Sequence, residues 1–566
     1  MRTILDRITA PSSLLACGIM LLSVFLLISY NTLNHMLWQV LCFAPLLACV
    51  IHAWVYNFRN QWRVGLRWFG LLYATAILIA LWQFVDQREI LYCIIAGVTV
   101  VLSVSDFVYI PAGVQLPPHL HNYSHQSWTD SFISTVHAME EEYPLSDWKG
   151  IDYDALLEEF VPRIQEAERS NDLDAYGIAL LDYCTRFYDD HIVLSAANMQ
   201  TAESISRKLR GNDYGLSLIT MDNGDAVAIC VEPESEAEDN GIHAGTIITH
   251  WDGVPVDEAK CSLAIPLRPP VQENEEPQRT ILLAGMGGDS VSVTFIADNG
   301  EQKTVTLNRI GNYMTRCMEA SNRFCHVVEK DENFSYKMIS DSCGYLRIHS
   351  EDLSSLKVIY SVFTGKAPFV TNKVDKILQE LQAKGMTHLI IDIRNNTGGL
   401  TQVSAAVASL FTEETFIYSW GYCTKDDNGQ IHKNEPLVVP QNGKWKDLPV
   451  VVLVNQNTVS SGDIMADLLS SFSNVTLMGM TPSSGSGQTT GGCSFLADGN
   501  FSIFYPVQLD MDKDNNPTID TDASRETRIP LEVEIPVDEA AISVIYSENE
   551  RDYELEYAMQ WLLNQK

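Results

Sequence analysis

The sequence predicts a multidomain protein in which an α-helical membrane bundle is followed by a β-rich module inserted in an α/β domain. Three observations predict this order. The first 110 residues contain four long apolar runs, the middle of the chain shows short strands and turns, and the part after residue 341 alternates buried strands with helices. A chain of 566 residues is also too long for one ordinary domain.

The four apolar runs cover residues 11–30, 36–56, 68–84 and 90–110. Each is close to the roughly 20 residues that a helix needs to cross a bilayer, so we expect a multi-pass protein of the cell membrane with the lipid bilayer as a partner. Arginines are concentrated before the first run and between the second and third, which favours a cytoplasmic body. Large domains are translocated regardless of this charge rule, so the side of the membrane stays open.

Composition and periodicity predict the remaining boundaries. The predicted segments are a four-span domain (1–110), a polar, histidine-rich linker (111–148), amphipathic helices (149–203), a strand-and-turn module (204–312), an α/β core (335–545) and a carboxy-terminal helix (546–566). The formal net charge of −34 argues against a nucleic-acid partner, because phosphate binding needs clustered Lys and Arg. No zinc-ligand spacing, phosphate-binding loop or dinucleotide fingerprint indicates a metal or cofactor.

The module contains two segments that resemble the PDZ signature, DYGLSL at 213–218 and NGIHAGTIITHWDG at 240–253. The resemblance covers about 100 residues. It implies a sheet edge to which an extended peptide adds as a strand, with backbone amides at Tyr214, Gly215 and Leu216 receiving a terminal carboxylate. The alternative is a structural spacer that binds no ligand.

Two buried strands are predicted at 388–393 and 449–454, and each is followed by a polar, glycine-containing turn and a helix. Active sites of α/β folds lie at the carboxyl ends of such strands. The segments GYLRI (344–348), DIRNNTGG (392–399), LVNQNTVSSGD (453–463) and GMTPSSGSGQ (479–488) occur in the order of the carboxy-terminal processing and tricorn-like serine peptidases, which this chain resembles from about Trp148 to Ala541. The resemblance implies a crotonase-like α/β domain that hydrolyses peptide bonds of protein or peptide substrates through a serine acyl-enzyme, without cofactor or metal.

Matching the family motifs residue by residue implies Ser460 as the nucleophile. The backbone amides of Ser461 and Gly398 are then expected to stabilise the oxyanion. An isolated serine before a helix would otherwise be interpreted as an N-cap, and a pair of glycines as part of a tight turn.

At the position of the general base, this sequence differs from one branch of the family. Carboxy-terminal processing members carry a lysine about 25 residues after the nucleophile, whereas this chain has Ser486 there and no lysine between Lys446 and Lys513. The tricorn-like branch uses a histidine that precedes the module, which implies His191 as the base, with an ordinary pKa near 6.5. The family carboxylate that orients the imidazole matches Glu526, with Asp190 as its rival.

Two other functions stay open at this stage. A catalytically inactive peptidase fold could bind peptides through the PDZ-like module, and the four apolar runs could serve transport. The resemblance to the family implies an extracytoplasmic body, against the cytoplasmic side that the arginines favour. The sequence also leaves homo-oligomerisation open.

Overall fold

A computed structural model describes residues 119–263, 270–329, 332–425, 430–547 and 551–565, all within the compact unit His119–Lys566. The four predicted spans fall outside the described residues. Among the helices that are described, none combines the length and the apolar character that crossing a bilayer requires. The prediction of a multi-pass membrane protein therefore has no support in the structure and is withdrawn.

The first region of the unit consists of helices packed on one another. They are Trp128–Glu142 (α1), Ser146–Lys149 (α2), Tyr153–Ser170 (α3), Leu173–Thr185 (α4) and Met199–Arg210 (α5). Four of them begin after a polar N-cap whose side chain accepts an N–H of the first turn, namely Ser127, Asp152, Asp172 and Asn198. Phe132, Phe160 and Tyr183 meet edge to face or tilted in the core. The segment predicted as a linker, 111–148, is thus folded and partly buried where it is described.

A four-stranded sheet joins this region to the end of the chain. Its outer strands are Leu120–Asn122 (β1) and Val193–Ala196 (β2), and its inner strands come from residues 490–495 and 501–506. Val193 pairs with Phe504 and Ala196 with Phe501 in antiparallel register. Because β2 begins two residues after His191, this pairing fixes where the histidine lies.

The middle module packs around an apolar core that it shares with Phe324, Val537 and Ile542 from later segments of the chain. Its strands are Asn212–Asp213 (β3), Ser217–Thr220 (β4), Ala226–Ile229 (β5), Ile248–Trp251 (β6), Val254–Pro255 (β7), Ser290–Ile296 (β8), Gln302–Asn308 (β9) and Gly311–Asn312 (β10). Its helices are Glu236–Asp239 (α6), Val256–Cys261 (α7) and Glu275–Leu283 (α8), and Met314–Phe324 (α9) follows. Strand β3 pairs with β10, so the first and last strands of the module meet. The PDZ assignment stays a prediction.

The remaining residues form the α/β body. Its strands are Phe334–Met338 (β11), Cys343–Ile348 (β12), His388–Asp392 (β13), Phe416–Trp420 (β14), Thr424–Lys425 (β15), Ile431–His432 (β16), Pro436–Val439 (β17), Val450–Leu453 (β18), Val475–Gly479 (β19), Thr490–Phe495 (β20), Phe501–Pro506 (β21) and Val533–Glu534 (β22). Its helices are Ser355–Thr364 (α10), Pro368–Ala383 (α11), Thr401–Ala408 (α12), Ser461–Ser470 (α13), Glu539–Ile545 (α14) and Tyr553–Asn564 (α15).

A six-stranded sheet in the order β11-β12-β13-β18-β19-β22 is the centre of the body. Every neighbouring pair except β11 with β12 is parallel. Strand β18 is entirely apolar, and β13 is apolar between His388 and Asp392 at its ends, because both faces of the sheet are covered, as parallel sheets require. Their carboxyl ends lie side by side and carry the turns at 394–399 and 455–460.

A buried ion network fixes the first of these turns. The Arg394 guanidinium donates to Asp392 Oδ2 at 2.7 Å and to Glu554 Oε2 at 2.7 Å. Arg394 is fully buried, so both its charge and its donors need such partners. The network also ties helix α15 to the end of β13.

Candidate active site

Ser460 occupies the strand-to-helix turn between β18 and α13. It is the residue immediately before the helix, is half-buried, and has φ 63° and ψ −129°. A residue with a Cβ atom rarely adopts this backbone conformation, because the Cβ crowds the neighbouring peptide groups. Such strain persists only where the surroundings impose it, and it is concentrated at functional sites.

Backbone contacts with two neighbouring loops hold the turn in place. Thr458 Oγ1 donates to the Ile393 carbonyl at 2.9 Å, and the Val459 N–H donates to the Asn396 carbonyl at 3.0 Å. The Ser460 N–H donates to the Ser486 carbonyl at 3.0 Å. The turn after β18 is therefore clamped between the turn after β13 and the loop at 483–488.

Gly398 packs directly against the serine. A Cβ atom at position 398 would lie 2.7 Å from Ser460 Cβ and 2.8 Å from the Ser461 nitrogen, and φ at Gly398 is +87°. Only glycine combines this backbone conformation with so close an approach. The structure therefore brings two of the predicted site residues, Gly398 and Ser460, into contact.

Two backbone amides near Ser460 lack an acceptor among the described residues, those of Ser461 and Gly399. Ser461 is the first residue of α13, where an N–H has no intrahelical partner. The Gly398 N–H, by contrast, donates to Asn396 Oδ1 at 2.8 Å. Ser461 Oγ donates to the Gly399 carbonyl at 3.0 Å, which holds the two amides in a fixed relation.

His191 lies in a turn beside a buried carboxylate that the sequence analysis did not select. The His191 N–H donates to Asp189 Oδ1 at 2.9 Å, and His191 Nδ1 lies 3.6 Å from the same oxygen. Asp189 is fully buried, and Oδ2 accepts from the Tyr143 hydroxyl at 2.8 Å. Nδ1 is buried with no hydrogen bond among the described residues, and the Asp189 carboxylate is the acceptor that lies beside it.

The electrostatic surroundings favour the charged imidazole. Burial lowers the pKa of His191, but Asp189, Asp520 and Asp190 together outweigh that effect and raise the pKa above its ordinary value. Burial raises the pKa of Asp189, and the opposing effect of His191 and Lys149 brings it below its ordinary value. The pair is thus arranged to stabilise a positive charge that forms on the histidine.

Ser486 connects the histidine turn with Ser460. Its hydroxyl accepts from the Asp190 N–H at 3.1 Å, while its carbonyl accepts from the Ser460 N–H. Ser484 Oγ donates to Asp190 Oδ2 through a short hydrogen bond. The position at which one branch of the family carries a lysine is therefore used here to bind the segment that carries His191.

Asp520 is a second buried carboxylate near the histidine. Its Oδ2 accepts from the Gly487 N–H at 3.1 Å and from Gln488 Nε2 at 2.9 Å, whereas Oδ1 is buried without a partner in the described residues. Burial and the charge of Asp189 raise the pKa of Asp520 to about 6.

Glu526 is not brought to the histidine. Its side chain is exposed, and its own N–H donates to Ser524 Oγ at 3.3 Å. None of the contacts in the described part of the chain joins Glu526 to His191. Asp190, its rival, accepts from Ser484 Oγ, whereas Asp189 lies 3.6 Å from the imidazole Nδ1.

One of the three backbone amides predicted to receive a peptide terminus is engaged within the module. The Gly215 N–H donates to Asp213 Oδ1 at 2.8 Å, and Tyr214 and Leu216 are buried. Thr220 and Thr280 are bonded through their hydroxyls at 2.6 Å, so helix α8 lies against strand β4, where an added strand would enter. The assignment of Tyr214, Gly215 and Leu216 as peptide-binding residues stays a prediction.

A strained serine at a strand-to-helix turn, unpaired amides beside it and a carboxylate-backed histidine are the parts of a serine-type hydrolase. Residues 342–522 match the model of peptidase family S41. Over 108 residues, 19% of this chain and 24% of the relative, the chain is 33% identical to a carboxyl-terminal-processing protease of Picosynechococcus. Over 348 residues it is 24% identical to the chloroplastic C-terminal processing peptidase of Tetradesmus obliquus, covering 60% of this chain and 64% of that one.

The fold is also similar to solved structures. Mature CPAF complexed with lactacystin has a TM-score of 0.50 at 14% identity, covering 78% of this chain and 99% of that one. A CPAF mutant has a TM-score of 0.51 at 13% identity, with 78% and 98% covered. The chain spans between 18% and 64% of the curated relatives that it matches.

Proposed function

We propose that this chain is a serine peptidase in which Ser460 attacks the scissile carbonyl and His191 takes the hydroxyl proton. The observation that carries the proposal is the backbone conformation of Ser460, which presents its hydroxyl at the amino terminus of α13 next to two unpaired amides. A serine that served only as an N-cap would need no such strain, because ordinary N-caps have extended backbone.

In the proposed reaction, the Ser461 N–H and the amide of the Gly398-Gly399 turn donate to the oxyanion. We favour the Gly399 N–H as the second donor, because the Gly398 N–H is committed to Asn396. One such donor contributes about 3 to 4 kcal/mol to lowering the barrier in other serine peptidases. His191 then returns its proton to the leaving amine.

Asp189 holds the imidazole in the proposed reaction, and Asp520 adds negative charge behind it. The support is the 3.6 Å separation from Nδ1 and the upward shift of the pKa of His191. A Ser-Lys dyad is disfavoured because Ser486 fills the lysine position and binds Asp190 and Ser460 instead.

A fluorophosphonate probe tests the nucleophile. We expect labelling of the wild-type chain, none of Ser460→Ala, and retained labelling of Ser471→Ala, a matched control at the other end of α13. Labelling that survives in Ser460→Ala, or that maps to Ser461, would contradict the assignment. His191→Ala should lower the turnover of a peptide substrate by at least about a thousandfold while the thermal unfolding transition stays in place.

A further inference from the structure

Glu351 is a buried titratable residue that the proposed reaction does not use. It lies three residues after the end of β12, and no part of it is exposed. Among the described residues it forms no ion pair, its Oε1 is buried without a hydrogen bond, and the charge that acts on it, that of Asp352, has the same sign. Burial, assisted by Asp352, raises the pKa of Glu351 well above its ordinary value. These surroundings favour the neutral acid, because a buried carboxylate without a cation costs much free energy.

The contacts of Ser404, a buried residue of α12, indicate the same protonation state. Ser404 Oγ lies 2.6 Å from Glu351 Oε2 and 3.1 Å from the Ser461 carbonyl oxygen. A hydroxyl has one proton to donate, and a carbonyl oxygen can only accept. A charged Glu351 would therefore leave one of the two contacts without a proton between its oxygens. A neutral Glu351 donates to Ser404 Oγ, and Ser404 then donates to Ser461, so the neutral acid is the state that satisfies both contacts.

The backbone of the same residue holds the Gly398-Gly399 turn. The Glu351 N–H donates to the Gly398 carbonyl at 2.9 Å, and Glu351 forms a parallel β-bridge with Gly399. A Cβ atom at position 399 would lie 2.6 Å from the Glu351 carbonyl carbon, so the two segments are in close contact. Glu351 is thus connected to both parts of the proposed oxyanion site: to the glycine turn directly, and to Ser461 through Ser404.

We propose that Glu351, in its neutral form, is a positioning residue of the oxyanion site, acting on Ser461 through the Ser404 hydroxyl and on Gly399 through its backbone. The inference rests on the proposed function, in which the N–H groups of Ser461 and Gly399 bind the oxyanion. A displacement of about 1 Å in a catalytic group is sufficient to lower a rate by about a hundredfold. The neutral state also serves the reaction, because a carboxylate here would oppose the negative charge that develops on the oxyanion.

The matched pair Glu351→Gln and Glu351→Met tests the side-chain hydrogen bond. Gln is neutral at every pH and its amide can donate to Ser404 Oγ as the acid does, whereas Met has a similar length and no donor. With a fluorogenic peptide, we expect kcat of Glu351→Gln to stay within about threefold of the wild-type value and kcat of Glu351→Met to fall at least about tenfold. KM should stay unchanged in both, because the affected donors act in the transition state.

Ser404→Ala removes the intermediate hydroxyl and should lower kcat to a similar extent. Combining Ser404→Ala with Glu351→Met should cost no more than either change alone, because both break one chain of hydrogen bonds. Ser409→Ala is the matched control, since Ser409 is a buried serine directly after α12 whose Oγ donates to the Ala406 carbonyl at 2.7 Å. The control should keep the wild-type kcat, and circular dichroism with thermal melts establishes that each variant is folded.

The protonation state has its own measurement. The infrared difference spectrum of the wild type minus Glu351→Gln should show the carbonyl band of a protonated carboxyl group at neutral pH, and a carboxylate band in its place would overturn the proposal. Full kcat in folded Ser404→Ala or Glu351→Met would overturn it as well, as would a Glu351→Gln chain as slow as Glu351→Met. In each of these cases the wild type is still labelled by fluorophosphonate, so the positioning role fails alone. A wild-type chain that is neither labelled nor active would overturn the proposed function too.

Discussion

Replacing Asp189 by Asn tests the proposed mechanism most directly. The two side chains have the same shape, and the Asn oxygen can still accept from the His191 N–H. The Tyr143 hydroxyl, which now donates to Asp189, can accept from the new amide instead. The substitution therefore removes one negative charge beside the imidazole while the fold is expected to persist.

The magnitude follows from the 3.6 Å between Asp189 Oδ1 and His191 Nδ1. At an effective dielectric constant of about 20, opposite unit charges at this distance attract by about 5 kcal/mol. The imidazole is positively charged only after it has taken the serine proton, so the attraction acts on the transition state and not on the resting enzyme. We therefore expect kcat/KM to fall by about a thousandfold or more.

The pH dependence should change in a defined direction. His191 acts as a base only when it is deprotonated, so kcat/KM of the wild-type enzyme should rise with pH through a pKa above the ordinary value of about 6.5. Asp189 is the strongest influence that raises this pKa, whereas burial lowers it. In Asp189→Asn the acid limb of the profile should therefore move to lower pH.

The assay is hydrolysis of a fluorogenic peptide across pH 4 to 10, with circular dichroism to monitor the fold. Glu526→Gln is the matched control, because Glu526 is exposed and makes no described contact with His191. If Glu526→Gln loses activity and Asp189→Asn does not, the orienting carboxylate has been assigned to the wrong residue. An acid limb that does not move in Asp189→Asn would show that the titrating group is not His191.

Two further predictions concern the turns around Ser460. Gly398→Ala should abolish fluorophosphonate labelling, since its Cβ would meet Ser460 Cβ at 2.7 Å, whereas Gly365→Ala, with φ +64° and open space around it, should cost only about 1 to 2 kcal/mol of stability. Burial raises the pKa of Asp463 to about 7, so the folded state holds a proton that the unfolded state releases between about pH 4 and 7. The contribution of Asp463 to stability should therefore be lost as pH rises through this window, so the melting temperature of the wild type relative to Asp463→Asn should fall from pH 4 to 7; a difference that stays constant or rises would contradict this reasoning.

Two central strands of the six-stranded sheet, and the turns at their carboxyl ends, could be predicted from the sequence. Strands β13 and β18 are continuous apolar runs followed by glycine-containing polar turns, and the structure has them at His388–Asp392 and Val450–Leu453, within two residues of the predicted bounds. The local sequence is sufficient to locate these strands, because a strand that is buried on both faces must consist mainly of apolar residues. The meeting of Gly398 with Ser460 follows from the parallel pairing of these two strands.

The sheet of β1, β2, β20 and β21 could not be predicted. Val193 and Phe504 pair across more than 300 residues, and nothing in either segment specifies the other. Asp520 was missed for the same reason, because its proximity to the histidine arises from the packing of distant segments. Lys149 contributes to that packing by donating to the carbonyls of Tyr188 and Thr521.

Asp189 is a different case, because a local rule could have found it. In the segment Asp189-Asp190-His191, a turn in which an Asp side chain accepts the N–H two residues ahead places the first carboxylate against the histidine backbone, as observed at 2.9 Å. The carboxylate of Asp190, the residue directly before the histidine, accepts from Ser484 instead. The proposed base and the carboxylate proposed to orient it thus come from one short turn, and only their distance from Ser460 depends on the long-range pairing of β2. A substitution that weakens that pairing should separate the histidine from the serine while leaving the His191–Asp189 contact in place.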